Sequence, residues 1–265
     1  VIFGRKRNDA ADEEPREDLE VVDEVLEEED PLDVPEAGTQ DAQASAGEEL
    51  TEEAAAGEGS GANPEAGKWQ EWDAAFDRDW GPFDIEEVDL EADDTKRLDL
   101  GTIVVTPFDN MKMQLQVDKS KQKVQAILVA DGASAIEVAA FAGPMRTSLL
   151  PEIRDEIISA TEREKGKVQV VRGPFGAELR RRLPVTDPKG NAAIHVSRTW
   201  LVSGPGWVLR GVLMGRAALE PDNEEAQLTL FEFFSNLVVR RGTSPAAPGS
   251  LLAMTVPTGE KQPEQ

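Results

Sequence analysis

The sequence predicts an α+β fold: a mainly antiparallel β-sheet packed with two principal helices, preceded by a long disordered acidic N-terminal arm. Three observations carry this. From Leu98 onward, runs of alternating apolar and polar residues follow one another with only short turn-rich connections, the pattern of half-buried strands joined locally. Two stretches, near 149–161 and 222–241, instead repeat their apolar residues every three or four positions, which is helical spacing. The charge is divided as well. Residues 1–68 hold 22 acids and 5 bases, residues 69–100 hold 12 and 3, and residues 101–265 hold 18 and 20, within a net −24.

The chain starts with a short basic patch, Arg5-Lys6-Arg7, and turns acidic at Asp9. A secretory signal would continue into an apolar stretch. No run approaches the 18 apolar residues of a membrane span, so a soluble cytoplasmic protein is expected. Residues 10–67 are rich in Glu, Asp, Ala, Gly and Pro. Such a segment buries too little apolar surface to offset a backbone ordering entropy of about 1–2 kcal/mol per residue. Leu19, Val21, Val22, Val25 and Leu26 form one apolar island in it, short enough to be marginal as an isolated helix. Gly61 to Lys68 is not a phosphate loop. Five residues separate Gly61 from Gly67 where four are needed, and Trp69 stands where the magnesium-binding hydroxyl belongs.

The expected organisation is an arm over 1–80, a domain over 81–257 and a polar tail over 258–265. The arm ends in an aromatic segment, Trp69, Trp72, Phe76 and Trp80, spaced to share one helical face until Gly81-Pro82 stops it. It either docks on the sheet and begins the folded domain or engages a partner as a helix in a groove.

In the domain, strands are expected at Leu100–Pro107, Met111–Val117, Val124–Ala130 and Ala135–Phe141, forming a four-stranded meander with no βαβ alternation. Leu149 or Leu150, Ile153, Ile157 and Ala160 or Thr161 make the first helix, ending at Gly166. Lys167–Val171 and Ala177–Leu183 read as strands around the turn Gly173-Pro174-Phe175-Gly176. Leu251–Val256 reads as a last strand.

Around Ser203-Gly204-Pro205-Gly206 lies a hairpin. Facing Val202 with Trp207 and Trp200 with Leu209 puts Ile194, Val196, Trp200, Val202, Trp207, Leu209 and Leu213 on one face. His195, Ser197, Thr199 and Arg210 take the other, with His195 opposite Met214. A one-residue slip would scramble this division. Arg198 falls on the apolar face opposite Gly211, where an unpaired charge costs several kcal/mol. It is read as a structural ion pair or a side chain snorkelling to the sheet edge, with an anion site in a pocket as the sharper alternative. After Pro221 a helix is expected, with Asp222 and Glu225 as a capping box, Ala226, Leu230, Phe233, Phe234, Leu237 and Val238 on its inner face, and Arg240, Arg241 and Gly242 at its end.

Chemistry is sparsely marked. There is no Cys, so disulfides, thiolate metal sites and cysteine nucleophiles are excluded. His195 is the only His, and no Gly-x-Ser-x-Gly elbow exposes a serine. We assign no catalytic residue, cofactor or metal. Arg198, Arg172, Arg180 and Arg182 are the candidate anion or partner contacts, and Trp69, Trp72, Phe76 and Trp80 the candidate docking segment. A domain of charge near +2 lacks the basic footprint of a nucleic-acid binder. The preferred function is a non-enzymatic interaction module whose partner is another protein. Its acidic arm would raise solubility, mimic a polyanion or fold back on the Arg172–Arg182 region. The alternatives are a small-ligand binder or unrecognised enzyme with a pocket between sheet and helices, and a weak nucleic-acid binder regulated by the arm.

Several local runs also carry a resemblance: Gly81-Pro82-Phe83-Asp84, Arg172-Gly173-Pro174-Phe175-Gly176, Gly204-Pro205-Gly206-Trp207, Arg210-Gly211-Val212-Leu213-Met214-Gly215 and Val238-Val239-Arg240-Arg241-Gly242. In these, about two-thirds of the chain resembles an uncharacterised actinobacterial family, the domain of unknown function DUF3710. An acidic N-terminus before the domain fits that family. The resemblance implies no catalytic residues. The architecture also looks loosely like antiparallel sheets backed by helices of the PsbP/Mog1-like group, an analogy of fold alone.

Overall fold

The computed structural model describes residues 65–108, 111–118, 123–187 and 189–255. The disordered arm expected before residue 65 and the polar tail lie outside the described residues.

Seven strands form one wholly antiparallel sheet in the order β4-β5-β6-β10-β9-β8-β7. They are β4 (Lys112–Asp118), β5 (Lys123–Asp131), β6 (Ser134–Ala142), β7 (Lys167–Gly173), β8 (Gly176–Thr186), β9 (Ala192–Gly204) and β10 (Trp207–Gly215). A small second sheet, in the order β1-β11-β3-β2, joins β1 (Phe83–Asp84), β2 (Leu98–Asp99), β3 (Ile103–Val105) and β11 (Val238–Val239). Only its β1–β11 pair is parallel. The helices are α1 (Ala66–Ala74), α2 (Leu150–Arg163), α3 (Arg216–Leu219) and α4 (Leu228–Ser235). The α+β class with mainly antiparallel pairing is therefore correct.

One face of the large sheet carries the main core. Trp200, Val202, Trp207, Leu209 and Leu213 pack there with Leu230, Phe233 and Phe234 of α4. Gly211 lies between Trp200 and Val138 in register. A Cβ on it would come within 2.7 Å of the Phe234 ring, so this glycine lets α4 lie close on the strands. On the opposite face α2 covers β7, β8 and β9, with Leu150 and Ile153 against Leu179, Leu201 and Val208.

Four expectations are corrected. The hairpin turn has two residues, not four: Gly204 pairs with Trp207, and Gly206 takes φ +76° after Pro205, the pairing a type II turn favours. The register is thereby shifted by two, which preserves both faces because side chains alternate with period two. Leu213, not Gly211, lies opposite Arg198, and His195 pairs with Leu183 of β8. The expected meander loses its first member, since Leu98–Val105 bends at Gly101 into the β2–β3 hairpin of the small sheet. The second principal helix is shorter at both ends. Asp222 forms no capping box, Gln227 stands at the N-cap without a side-chain bond, and residues 238–239 leave the helix to pair with β1 and β3. Finally, the described part of the last segment makes only isolated bridges, Val124 with Met254 and Phe141 with Leu251. It lies where the β5 and β6 edges part, and Met254 N–H donates to Val124 O at 2.8 Å.

Candidate functional site

The aromatic segment reaches the sheet through one carboxylate. Asp73, at the end of α1, accepts from the Arg154 guanidinium at 2.6 Å and from the Ala177 backbone N–H at 2.9 Å. Arg154 is buried, so the pair is largely shielded from solvent. Gly176, at φ +96°, lets the β7–β8 turn approach; a Cβ there would sit 2.8 Å from Asp73 Oδ1. Trp69 is buried near Arg154, with its ring 5.9 Å from the guanidinium carbon. Phe76 meets Phe175 edge-on at 5.5 Å.

Phe175 is a turn residue driven into the core. Its ring centroid lies 5.1 Å from Trp200, 5.3 Å from Phe231 and 4.9 Å from Phe234. These offset and edge arrangements suit aromatic quadrupoles. Beyond Asp77, whose side chain caps the 3-10 turn Arg78–Trp80 by accepting from Asp79 N–H, the chain passes Gly81 and Pro82 in a cis peptide. A Cβ at Gly81 would overlap the Ser235 carbonyl oxygen, so no larger residue fits between α4 and this crossing. Asp84 is held under the hairpin by Trp207, whose Nε1–H donates to it at 2.7 Å.

This crossing leaves two neighbouring hollows. A cleft of about 370 Å³ is lined by Trp72, Phe76, Trp80, Arg172, Pro174 and Phe231, among others. A larger groove of about 1330 Å³ runs past Asp73, Arg78, Trp80, Glu87, Leu150 and Ser203. Trp80 is 67% exposed and belongs to both. Arg78 closes one side, bonded to Glu87 at 2.9 and 2.6 Å and placed 5.5 Å over the Trp207 ring. So the structure brings Arg172 together with three of the four aromatics, whereas Trp69 is buried behind them.

The other arginines do not gather there. Arg198 is buried and its donors are engaged: Nε and Nη2 to the two Glu178 oxygens at 2.8 Å each, Nη1 to Ala217 O at 2.9 Å and to Gln227 Oε1 at 2.7 Å. Arg180 Nε and Trp200 Nε1 also donate to Glu178, at 2.9 and 2.8 Å. Arg180 and Arg198 lie opposite each other in the β8–β9 register, and Glu178 lies between their charges. Burial alone would raise the Glu178 pKa. The Arg198 bonds and charge, with Arg180 and Trp200, outweigh it and hold the carboxyl below its ordinary value. Arg182 is exposed farther along β8.

On the other face Glu137 is buried as deeply but less well served. It accepts from Gln116 Nε2 at 3.0 Å, and Arg210 Nη2 stays 3.7 Å away. Burial therefore prevails over Arg210 and Gln116 and raises its pKa. Among the described residues no group of three or more His, Asp or Glu side chains is placed to hold a metal. No described helix is long and apolar enough to cross a membrane.

Sequence reasoning assigned no role to Asp73 or Glu178. Each acquires its role from a residue 20 or more positions away, and only the Arg180/Arg182 alternation hinted that Glu178 shares a face with bases.

A mainly antiparallel α+β domain with an aromatic cleft at its N-terminal crossing is the class these features define. The chain belongs to the family described as protein of unknown function (DUF3710), whose model matches residues 81–263. No curated protein matches the chain. It is similar to a crystal structure from Bacteroides thetaiotaomicron at 9% identity and TM-score 0.33, covering 54% of this chain and 47% of that one. It is also similar to the solution structure of cyanobacterial PsbP (CyanoP) from Synechocystis, at 10% identity and TM-score 0.33, covering 55% of this chain and 92% of that one. The chain thus spans about half the length of the first of these.

Proposed function

We propose that the chain is an interaction module of the cytoplasm that binds another protein through the cleft between α1 and the β7–β8 turn. The observation that carries this is Trp80, two-thirds exposed beside Trp72, Phe231 and Arg172. An exposed tryptophan next to an arginine is the composition of an interface anchor. Arg172 makes no hydrogen bond or ion pair among the described residues, so its charge is available to a carboxylate on the partner. Arg198 is occupied by Glu178 and serves the fold.

The test compares full-length wild type with Trp80→Ala and Arg172→Ala in affinity capture from native cytoplasm. A protein retained by wild type and lost by both variants supports the reading. Identical captured sets overturn it. A second reading rests on the larger groove, where Phe83, Val88 and Leu150 line the same space as Asp73, Arg78 and Glu87, the mix of apolar and polar groups a small-molecule site uses. It predicts a ligand-dependent rise in melting temperature that Trp80→Ala reduces.

A further inference from the structure

The β8–β9 hairpin outruns the rest of the large sheet. Strand β7 pairs with β8 only as far as Arg182, and β10 pairs with β9 only as far as Arg198, but β8 and β9 stay paired out to Thr186 and Ala192. On the face that carries Arg198 and Trp200, the register sets Lys167, Arg182 and Val196 side by side in one row, with Pro184 opposite Ile194 in the next. Ile194 is 66% exposed. Leu219 and Leu228 are exposed too, and they adjoin Ala217 and Gln227, the two residues that reach Arg198 from the segment after β10. Three of the six exposed large apolar side chains among the described residues thus belong to segments that meet around Arg198. Apolar exposure gathered in this way marks an interaction surface, where scattered residues would not.

The charges around it are divided. Lys167 and Arg182 stand on the β7–β8 side of Ile194. On the side toward β10, the loop between Ala217 and Gln227 carries Asp222, Glu224 and Glu225. All five are exposed, and none forms an ion pair among the described residues. A surface with bases on one flank, acids on the other and apolar side chains between them is complementary to itself when turned about a two-fold axis. The acidic flank repels a phosphate backbone. Pro184 lies where β8 has lost its β7 neighbour, and a proline there discourages pairing along the strand edge. We propose that this surface joins two copies of the chain face to face about a two-fold axis near Ile194, with Lys167 and Arg182 of each copy opposite Asp222, Glu224 and Glu225 of the other. It lies at the far end of β7 and β8 from the aromatic cleft and is independent of the reading given for that cleft.

Sedimentation velocity of the full chain tests this at physiological ionic strength, where a Debye length of about 8 Å screens the repulsion between chains of net charge −24. Wild type should show a concentration-dependent dimer, and Ile194→Asp should abolish it. Two sign-reversed variants carry the decisive comparison: Lys167→Glu with Arg182→Glu, and Asp222→Lys with Glu224→Lys and Glu225→Lys. Each alone sets like charges opposite one another and should sediment as a monomer. Mixed in equal amounts, both halves of a mixed pair regain opposite charges, and the dimer should return. The proposal is overturned if wild type stays monomeric at every concentration, if either sign-reversed variant dimerises alone as wild type does, or if the mixture remains monomeric. Dimerisation that survives Ile194→Asp also overturns it, because the copies would then meet on another face.

Discussion

Glu178 and Glu137 stand on opposite faces of one sheet, each 1% exposed and each beside an arginine, and their proton affinities move in opposite directions. Glu178 receives four donors, two of them from one guanidinium in a bidentate grip. Glu137 receives one amide donor, and its arginine stays at 3.7 Å. Equal burial therefore has unequal consequences. Desolvation disfavours the charge in both; only the number and geometry of donors decides whether it is overcome. The Glu178 face is thus locked by its ion pair, whereas on the Glu137 face the buried carboxyl is held toward its neutral form.

The comparison breaks most visibly if Glu178→Gln is tolerated. That change leaves Arg198 buried without its carboxylate and should cost about 3–5 kcal/mol in urea unfolding at neutral pH. Arg198→Met should cost a similar amount, and the double variant should recover part of the loss. A smaller effect tests the packing on the same face. Gly211→Ala pushes a methyl into the Phe234 ring and should cost about 1–3 kcal/mol, with partial rescue by Phe234→Leu in thermal melts.

The pH dependence of Glu137→Gln sharpens the contrast. With its folded pKa raised, Glu137 contributes stability below the ordinary glutamate range and loses it as pH rises through the folded value. Glu178, with its folded pKa lowered, contributes stability above that range and loses it as pH falls through the folded value. The wild-type advantage over Glu137→Gln should therefore shrink with rising pH, and that over Glu178→Gln should grow. At neutral pH Glu137→Gln should change stability by no more than about 1 kcal/mol. Smallest of all, Trp80→Ala should alter stability by at most about 0.5 kcal/mol, since its ring is mostly solvated; a large loss would make it a core residue and remove it from the cleft.

Elements with local signals were legible. Period-two alternation exposed β4, β7 and β8, apolar runs bounded by turn residues exposed β5, β6, β9 and β10, and three-four spacing exposed α2, because those patterns are local. The hairpin faces survived a register shift of two because only odd slips exchange them. What failed depends on distant partners. Leu100–Pro107 reads as one strand until Gly101 turns the chain between β2 and β3 and β11 arrives from residue 238. Phe175 looks like a turn residue until Phe231 and Phe234 surround it. In the cleft, the aromatics were singled out by spacing and Arg172 by charge, but their meeting follows from Asp73 binding Ala177 N–H across 104 positions, which no window of sequence contains.

The wedge of residues 249–254 beside β5 and β6 has a consequence for biosynthesis. Leu252 N–H donates to Ala140 O, and Met254 exchanges bonds with Val124 in both directions. The central strands emerge from the ribosome more than a hundred residues before the segment that completes their edges. Contacts so far apart in sequence form slowly, and an unfinished strand edge can pair with another nascent chain. Chains interrupted just short of residue 249 should therefore be captured by chaperones while still on the ribosome, whereas chains released after residue 255 should escape them.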